Sequence, residues 1–238
     1  MLTYYMEAIK SFNVGELPNS SFNIILGKRR SGKTVVAESI INQMSKSKNL
    51  DCCFLFSPTD AGFPMIPRED RFTSLEPLDN IVENYERMNN FNKVAMKRDQ
   101  FKIKTLIVLD DMACSLKDIK NRILEKLAVN GRHSAYDPLS LSFLILCQSL
   151  TKIPRVVRLN CDNIFVNAIA SRLEQDMVFD ENLYVIDGSA DGRKEARSLY
   201  NDLTASQDFM FVVIENWRQN CRCHADFIKT YVADYCGC

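Results

Sequence analysis

The sequence predicts an α/β domain, with a mainly parallel central sheet flanked by helices. Three observations carry that expectation. Strand-like apolar runs alternate with helix-like segments, the pattern of parallel strands joined by crossover helices. A glycine-containing segment, Gly27-Lys28-Arg29-Arg30-Ser31-Gly32-Lys33-Thr34, stands between the first apolar run and the first helix-like stretch. A later apolar run, Leu106 to Leu109, ends in two carboxylates, Asp110 and Asp111.

The elements are taken in chain order. Phe22 to Leu26 is the first strand, and Val35 to Met44 the first helix-like stretch. Cys52 to Phe56 is a short apolar run closed by Ser57-Pro58, and reads as the second strand. Residues 57 to 75 contain Pro58, Gly62, Pro64 and Pro67, so an irregular loop is expected. Leu78 to Lys102 is long, polar and compatible with a helix. Thr105 to Leu109 is the third strand. Leu116 to Val129 carries apolar residues at helical spacing, namely Leu116, Ile119, Ile123, Leu124 and Leu127. Leu141 to Cys147 is a fourth strand ending at Gln148, and Asn163 to Val166 a fifth. Glu195 to Leu203 reads as helix and Phe209 to Ile214 as a late strand, with a cysteine-containing tail from Trp217. Residues 1–205 are expected to form the main domain, and 206–238 its last strand plus a tail or small appendage.

Bulk properties narrow the function classes. A chain of 238 residues with 46% apolar composition builds one substantial core. Lys plus Arg, 30, equals Asp plus Glu, 30, which argues against a static nucleic-acid coat protein. It leaves room for a ring whose lumen touches DNA repeatedly and weakly. Glu7 and Lys10 interrupt the first ten residues, so no signal peptide is expected, and no apolar run has the length of a membrane span. These features lead to an expectation of a soluble, intracellular protein. Of the nine cysteines, Cys52, Cys53, Cys114, Cys147 and Cys161 lie in or beside apolar runs, where a thiol packs as a small hydrophobe.

The motifs carry specific chemistry. Gly27 to Thr34 has the Gly-x-x-x-x-Gly-Lys-Thr pattern of a phosphate-binding loop, in its strand–loop–helix context. Its glycines let successive backbone N–H groups face one centre, where they and the helix after them cradle α- and β-phosphates. Lys33 reaches the β/γ-phosphates of ATP, and the Thr34 hydroxyl is a ligand for Mg²⁺. Asp110, delivered by a buried strand to the same rim, completes the metal shell, while Asp111 polarises the attacking water. Gln148 ends the next strand, where an amide can sense the γ-phosphate or position water. Gly131-Arg132-His133 precedes that strand, and Arg132 is placed to act as an arginine finger on a neighbouring subunit's γ-phosphate, with Arg158 as the reserve.

The order of phosphate loop, apolar strand with Asp110-Asp111, Gly131-Arg132-His133 and apolar strand with Gln148 resembles the FtsK–HerA superfamily of ring translocases. Within it, the chain is most similar to the poxvirus-type genome-packaging ATPases of large DNA viruses and virophages. Ile153 to Asn160 and Asp162 to Val166 also resemble the stretch beyond the glutamine in that family, and the likeness covers about residues 20 to 180. It implies a P-loop NTPase fold of the additional-strand, RecA/FtsK-like kind. It further implies ATP and Mg²⁺ as cofactors, and a ring of identical subunits (pentamer or hexamer) that drives double-stranded DNA into a preformed capsid. Capsid or vertex proteins are the implied partners, and the virion or the viral assembly site in the host cell the implied location. Two rivals have distinct signatures. A nucleotide-metabolising P-loop enzyme would need an Arg-rich lid, and no lid motif is present. A nucleotide-gated capsid-vertex protein would bind ATP with negligible turnover.

Two further clusters keep alternatives open. Lys93, Lys97, Arg98, Lys102 and Lys104 form either a DNA-facing stripe or a solvated helix face. Cys221, Cys223, His224, Cys236 and Cys238 offer soft zinc ligands, but at Cys-x-Cys spacing, so unpaired thiols are the leading reading, with zinc and late disulfides as the alternatives.

Overall fold

A computed structural model of the chain describes residues 9–18, 20–47, 49–59, 62–96, 103–112, 122–130, 140–167, 169, 171–183, 190–218 and 226–233. Eight strands form one sheet: β1 (Phe22–Gly27), β2 (Cys52–Phe56), β3 (Arg71–Phe72), β4 (Thr105–Asp110), β5 (Leu141–Cys147), β6 (Asn163–Asn167), β7 (Phe211–Glu215) and β8 (Ile228–Tyr231). Their order across the sheet is β3-β2-β4-β5-β1-β6-β7-β8. The strands from β3 to β6 run parallel, and β7 and β8 add on antiparallel. The expected mainly parallel sheet is therefore present, with β5 inserted between β1 and β4.

Helices cover both faces: α1 (Lys33–Lys46), α2 (Glu76–Met96), α3 (Arg122–Asn130), α4 (Arg155–Leu159), α5 (Arg172–Val178) and α6 (Ala190–Ser206). The central strands are apolar at nearly every position because both of their faces are buried. Ile24, Leu26, Ile107, Leu109, Phe143, Ile145 and Val166 pack on one side with Leu78, Val82, Leu124, Leu199 and Leu203 of the helices. Ile25, Leu106, Val108, Leu144, Leu146 and Phe165 pack on the other with Val36, Ala37, Ile40 and Ile41 of α1. The alternation is the two-residue period of a strand sorting its side chains between two helical layers.

Several boundaries differ from the sequence reading, each for a physical reason. α1 begins at Lys33, before its apolar stripe, because Gly32 is its N-cap residue and its first turn belongs to the glycine loop. Pro154 stands at the N-cap position of α4, a short helix hidden in a segment with little periodicity. The tail expected from Trp217 contains β8, which is antiparallel to β7 in the same sheet and buries Ile228 and Tyr231. The Tyr231 hydroxyl donates to Ser39 Oγ at 2.8 Å, and the Gln43 amide donates to it at 3.1 Å, so β8 is fastened to α1. Residues 10–12 cover the outer edge of β8 through Phe12 N–H to Thr230 O at 2.7 Å and Thr230 N–H to Lys10 O at 3.1 Å. β3 is only two residues long, which leaves little backbone for unwanted pairing at the opposite edge. Of the expected helices 78–102 and 116–129, residues 97–102 and 116–121 lie outside the described residues.

Asp162 locks the start of β1 and β6 and the end of β7. Its carboxylate accepts from the Phe22 N–H at 2.8 Å, its own N–H donates to Phe22 O at 2.7 Å, and its carbonyl accepts from Asn216 N–H at 2.7 Å. Asp162→Ala leaves the Phe22 N–H buried without that acceptor and is expected to cost about 1–3 kcal/mol. The urea midpoint should fall accordingly, and Asp162→Asn, which keeps an acceptor oxygen, should recover much of it.

Candidate functional site

The loop after β1 is shaped by steric necessity. A Cβ on Gly27 would lie 2.4 Å from Ser31 Oγ and 2.8 Å from Asn167 O, so only glycine fits where the strand gives way to the loop. Ser31 N–H closes a turn onto Lys28 O at 3.3 Å. Arg30 (φ 63°) and Gly32 (φ 89°) are left-handed, which curls the chain before α1 begins. No side chain caps the N-terminus of α1. The N–H groups of its first turn therefore remain available to an anion, reinforced by the helix dipole. The buried Lys33 side chain reaches back across the loop, and its ammonium donates to Gly27 O at 3.0 Å and Lys28 O at 3.1 Å. Lys28, Arg29 and Arg30 are exposed, while the Ser31 hydroxyl is buried and has no hydrogen-bond partner among the described residues.

The carboxylates sit beside this loop because of strand register. In the parallel ladder Leu26 lies opposite Cys147, and Asp110 opposite Leu146, so β1, β5 and β4 end on one rim. Burial, then the neighbouring Asp111, push the Asp110 carboxyl up to about 6, against the opposing pull of Lys33. Asp111 has left the strand in a left-handed conformation (φ 52°), with its N–H donating to Leu146 O at 3.3 Å. Its two carboxylate oxygens both accept from Gln148 Nε2, each at 3.2 Å. Thr34, in the first turn of α1, is partly exposed. The predicted Gly27–Thr34 loop, Asp110, Asp111 and Gln148 thus converge on the same rim of the sheet. This arrangement can bind a chain of phosphates and hold a carboxylate ready beside its far end.

Other expected residues fall elsewhere. Arg132 lies outside the described residues, as do Lys97, Arg98, Lys102 and the cysteines at 221, 223, 236 and 238. Lys104 braces the entry to β4, with its N–H on Asp51 Oδ2 at 2.7 Å and its ammonium on Asn49 Oδ1 at 2.9 Å. Arg158, the reserve finger, is corrected to a packing role. It is buried, donates to both carboxylate oxygens of Glu181 at 2.9 and 3.1 Å, and donates to Leu150 O and Ile153 O. Four of its five N–H donors are thereby engaged inside its own chain. Cys147 behaves as expected of a buried thiol, since burial pushes it up to about 12.

Sequence reasoning missed Glu174. This buried carboxylate accepts from the Ser149 hydroxyl and from Leu150 N–H at 2.8 Å, immediately after Gln148. Its own N–H donates to Ser171 Oγ at 3.1 Å at the start of α5. Ser171-Arg172-Leu173-Glu174 has the spacing of a helix-start box, a signal for α5 itself. Nothing in that spacing points to residues 149 and 150. Glu174 and Arg158 together grip the segment that leaves Gln148.

The sequence pattern of the Poxvirus A32 protein family matches residues 9–186 of this chain. The chain belongs to that family. No curated protein matches it. Among solved structures, it is similar to B204, the DNA-packaging ATPase from Sulfolobus Turreted Icosahedral Virus, at 12% identity and a TM-score of 0.56. That likeness covers 92% of this chain and 100% of the other. It is similar as well to the genome packaging NTPase B204 from Sulfolobus turreted icosahedral virus 2 in complex with sulfate (TM-score 0.59, 12% identity, 92% and 98% covered). The pCW3 conjugation coupling protein TcpA is also similar in fold (TM-score 0.58, 12% identity), with 91% of this chain covered and 61% of TcpA. At these identities the likeness is one of fold.

Stability measurements check two of these carboxylates. The ordinary value for the Asp110 carboxyl is 3.8, against about 6 in the fold. Between those values the native protein holds a proton that the unfolded chain has released, so this group's contribution to stability is lost as pH rises through about 6. In nucleotide-free protein, Asp110→Asn should flatten that decline, as read from urea midpoints at pH 4.5, 6 and 7.5. Glu174→Ala should destabilise by about 1–3 kcal/mol through the lost bonds to Ser149 and Leu150, while Glu174→Gln should recover part of that.

Proposed function

We propose that this chain is an ATPase that drives double-stranded DNA into a preformed viral capsid, working as a ring of identical subunits. The observation that carries the reading is the rim where β5 stands between β1 and β4. It brings Gln148 against Asp111, beside a phosphate loop with an uncapped helix start. Membership of the Poxvirus A32 protein family supports it. The fold shared with an enzyme described as a DNA-packaging ATPase supports it further.

Each residue has a distinct task. The backbone N–H groups of residues 28–34 hold the phosphates. Lys33 exchanges its two carbonyl acceptors for β- and γ-phosphate oxygens, so its charge enters the site without adding a new side chain. Asp111 orients water for in-line attack on the γ-phosphoryl group. Gln148 steadies Asp111 through both carboxylate oxygens, and a γ-phosphate oxygen arriving at the rim competes for the same amide. Thr34 and Asp110 are the proposed Mg²⁺ ligands. Hard oxygen donors of this kind, completed by waters and phosphate oxygens, suit that ion. Among the described residues no group of three or more His, Cys, Asp and Glu forms a cage for a metal, which agrees with an ion held largely by its substrate. The half-buried Asp110 carboxylate, raised by burial and by Asp111, favours a second cation beside Lys33. Mg²⁺ when bound supplies positive charge against the β- and γ-phosphate oxygens.

In the ring we assign Arg132 to the neighbouring subunit's site, where a guanidinium meets charge building on the γ-phosphoryl oxygens. Double-stranded DNA and capsid or vertex proteins are the proposed partners, and the virion or viral assembly site the proposed location. Among the described residues no helix is long and apolar enough to cross a membrane.

ATP turnover with and without linear double-stranded DNA tests the assignment, and stimulation by DNA separates a translocase from a nucleotide-metabolising enzyme. Lys33→Ala should abolish turnover. Asp111→Asn should keep nucleotide binding and slow hydrolysis by about 10²-fold or more, comparable with other losses of transition-state stabilisation. Arg132→Ala should bind ATP and lose about 10³-fold in rate, the lower end for arginine fingers. Mixing Arg132→Ala with Lys33→Ala should restore part of the activity wherever an intact Lys33 site meets an intact Arg132. No recovery in mixed rings verified by mass would remove the trans assignment.

A further inference from the structure

One aromatic side chain beside the phosphate loop is unused by this scheme. Phe209 lies in the turn between α6 and β7, and 60% of it is exposed. Its backbone is left-handed (φ 59°), a conformation that glycine, asparagine or aspartate adopts more easily than a bulky residue. Core packing does not account for a phenylalanine at this position, and among the described residues it stacks on no other ring.

Its place on the rim is fixed from two sides. A Cβ built on Gly32 would lie 3.1 Å from Phe209 Cδ1, so the edge of the ring rests on the last glycine of the loop. The next residue is tethered as well: Met210 O accepts from Asn167 Nδ2 at 2.8 Å. Asn167 closes β6, and its carbonyl is the atom that crowds Gly27. The turn is thereby bound to the residue that shapes the start of the phosphate loop, while the ring rests at its end.

We infer that Phe209 is the stacking platform for the nucleotide base. This rests on the reading of Gly27–Thr34 as the phosphate site. With the phosphates on the loop and the start of α1, a ribose leaving the α-phosphate on the Gly32 side runs toward Phe209. The base then arrives one sugar further out, beside an apolar ring that is open to solvent. An aromatic face recognises the π-surface of a base without reading its edges. The subsite therefore takes purine nucleotides in preference to pyrimidine ones, through their larger stacking surface, and separates adenine from guanine poorly.

The test compares a ligand that has a base with one that lacks it. Full-length protein is titrated calorimetrically with the imido analogue of ATP and with inorganic tripolyphosphate. Phe209→Ala should weaken the analogue by roughly 5- to 150-fold, the range expected for loss of one base–aromatic stack, and leave tripolyphosphate unchanged. Phe209→Tyr should restore analogue binding. Phe209→Leu, which keeps bulk against Gly32 without a π-face, should not. Equal weakening of both ligands would show that Phe209 only braces Gly32, and unchanged analogue binding in Phe209→Ala would overturn the inference outright. Parent protein that holds neither ligand would overturn the phosphate-site reading itself, and this inference with it.

Discussion

The register of three adjacent parallel strands governs everything on the rim that carries the glycine loop. β1 supplies the phosphate loop, β4 the two carboxylates and β5 the glutamine, and none of these groups holds its place through direct bonds to all the others. Leu26 opposite Cys147 and Asp110 opposite Leu146 set their relative heights. A slip of one residue would turn each strand's side chains to the opposite helical layer, so two-sided burial enforces the alignment. The apolar composition of these strands is thus a functional specification as much as a stabilising one. It keeps Asp111 and Gln148 at hydrogen-bonding distance without any covalent or metal link.

Strain accumulates where that rim is built. Arg30, Asp111 and Phe209 are all left-handed without being glycine, and all three border the loop or the carboxylates. Each such residue costs of order 1–3 kcal/mol and persists only where its surroundings over-determine it. Here the surroundings are visible. Gly27 is boxed in by Ser31 and Asn167, Asp111 is held by Leu146 O and Gln148, and Met210 is tied to Asn167. Behind Gln148, Glu174 and the Arg158–Glu181 pair play the same part at greater depth, with charged groups gripping backbone rather than substrate.

The parts of this architecture legible in the sequence are those written in local pattern. The cores of β1, β4 and β5 appear as apolar runs because both their faces are buried, and the glycine loop appears because its spacing is imposed by phosphate geometry. Asp110 and Asp111 are legible as the polar end of such a run. Glu174 is not, since its partners lie 24 and 25 positions away and its nearest signal, Ser171, concerns only the start of α5. Arg158 reads as a reserve arginine finger, although Glu181 claims it in three dimensions. β8 is concealed by the cysteines on either side of it, and its burial depends on β7 and on residues 10–12. Long-range pairing of this kind leaves no periodic trace.

The strand order also has a temporal side. β1 is flanked in space by β5 and β6, yet Phe22 and its partner Asp162 are 140 positions apart. As the polypeptide leaves the ribosome, the glycine loop emerges well before β5 and β6, the strands that flank β1. Contacts of such separation form slowly, because the intervening chain must first be closed into a loop. Until Leu141 to Asn167 has been translated, Phe22 to Gly27 is a bare apolar strand with two unpaired edges, the kind of surface on which nascent chains adhere to one another. The insertion that brings Gln148 to Asp111 in the folded chain therefore leaves β1 without either neighbour for much of the chain's synthesis.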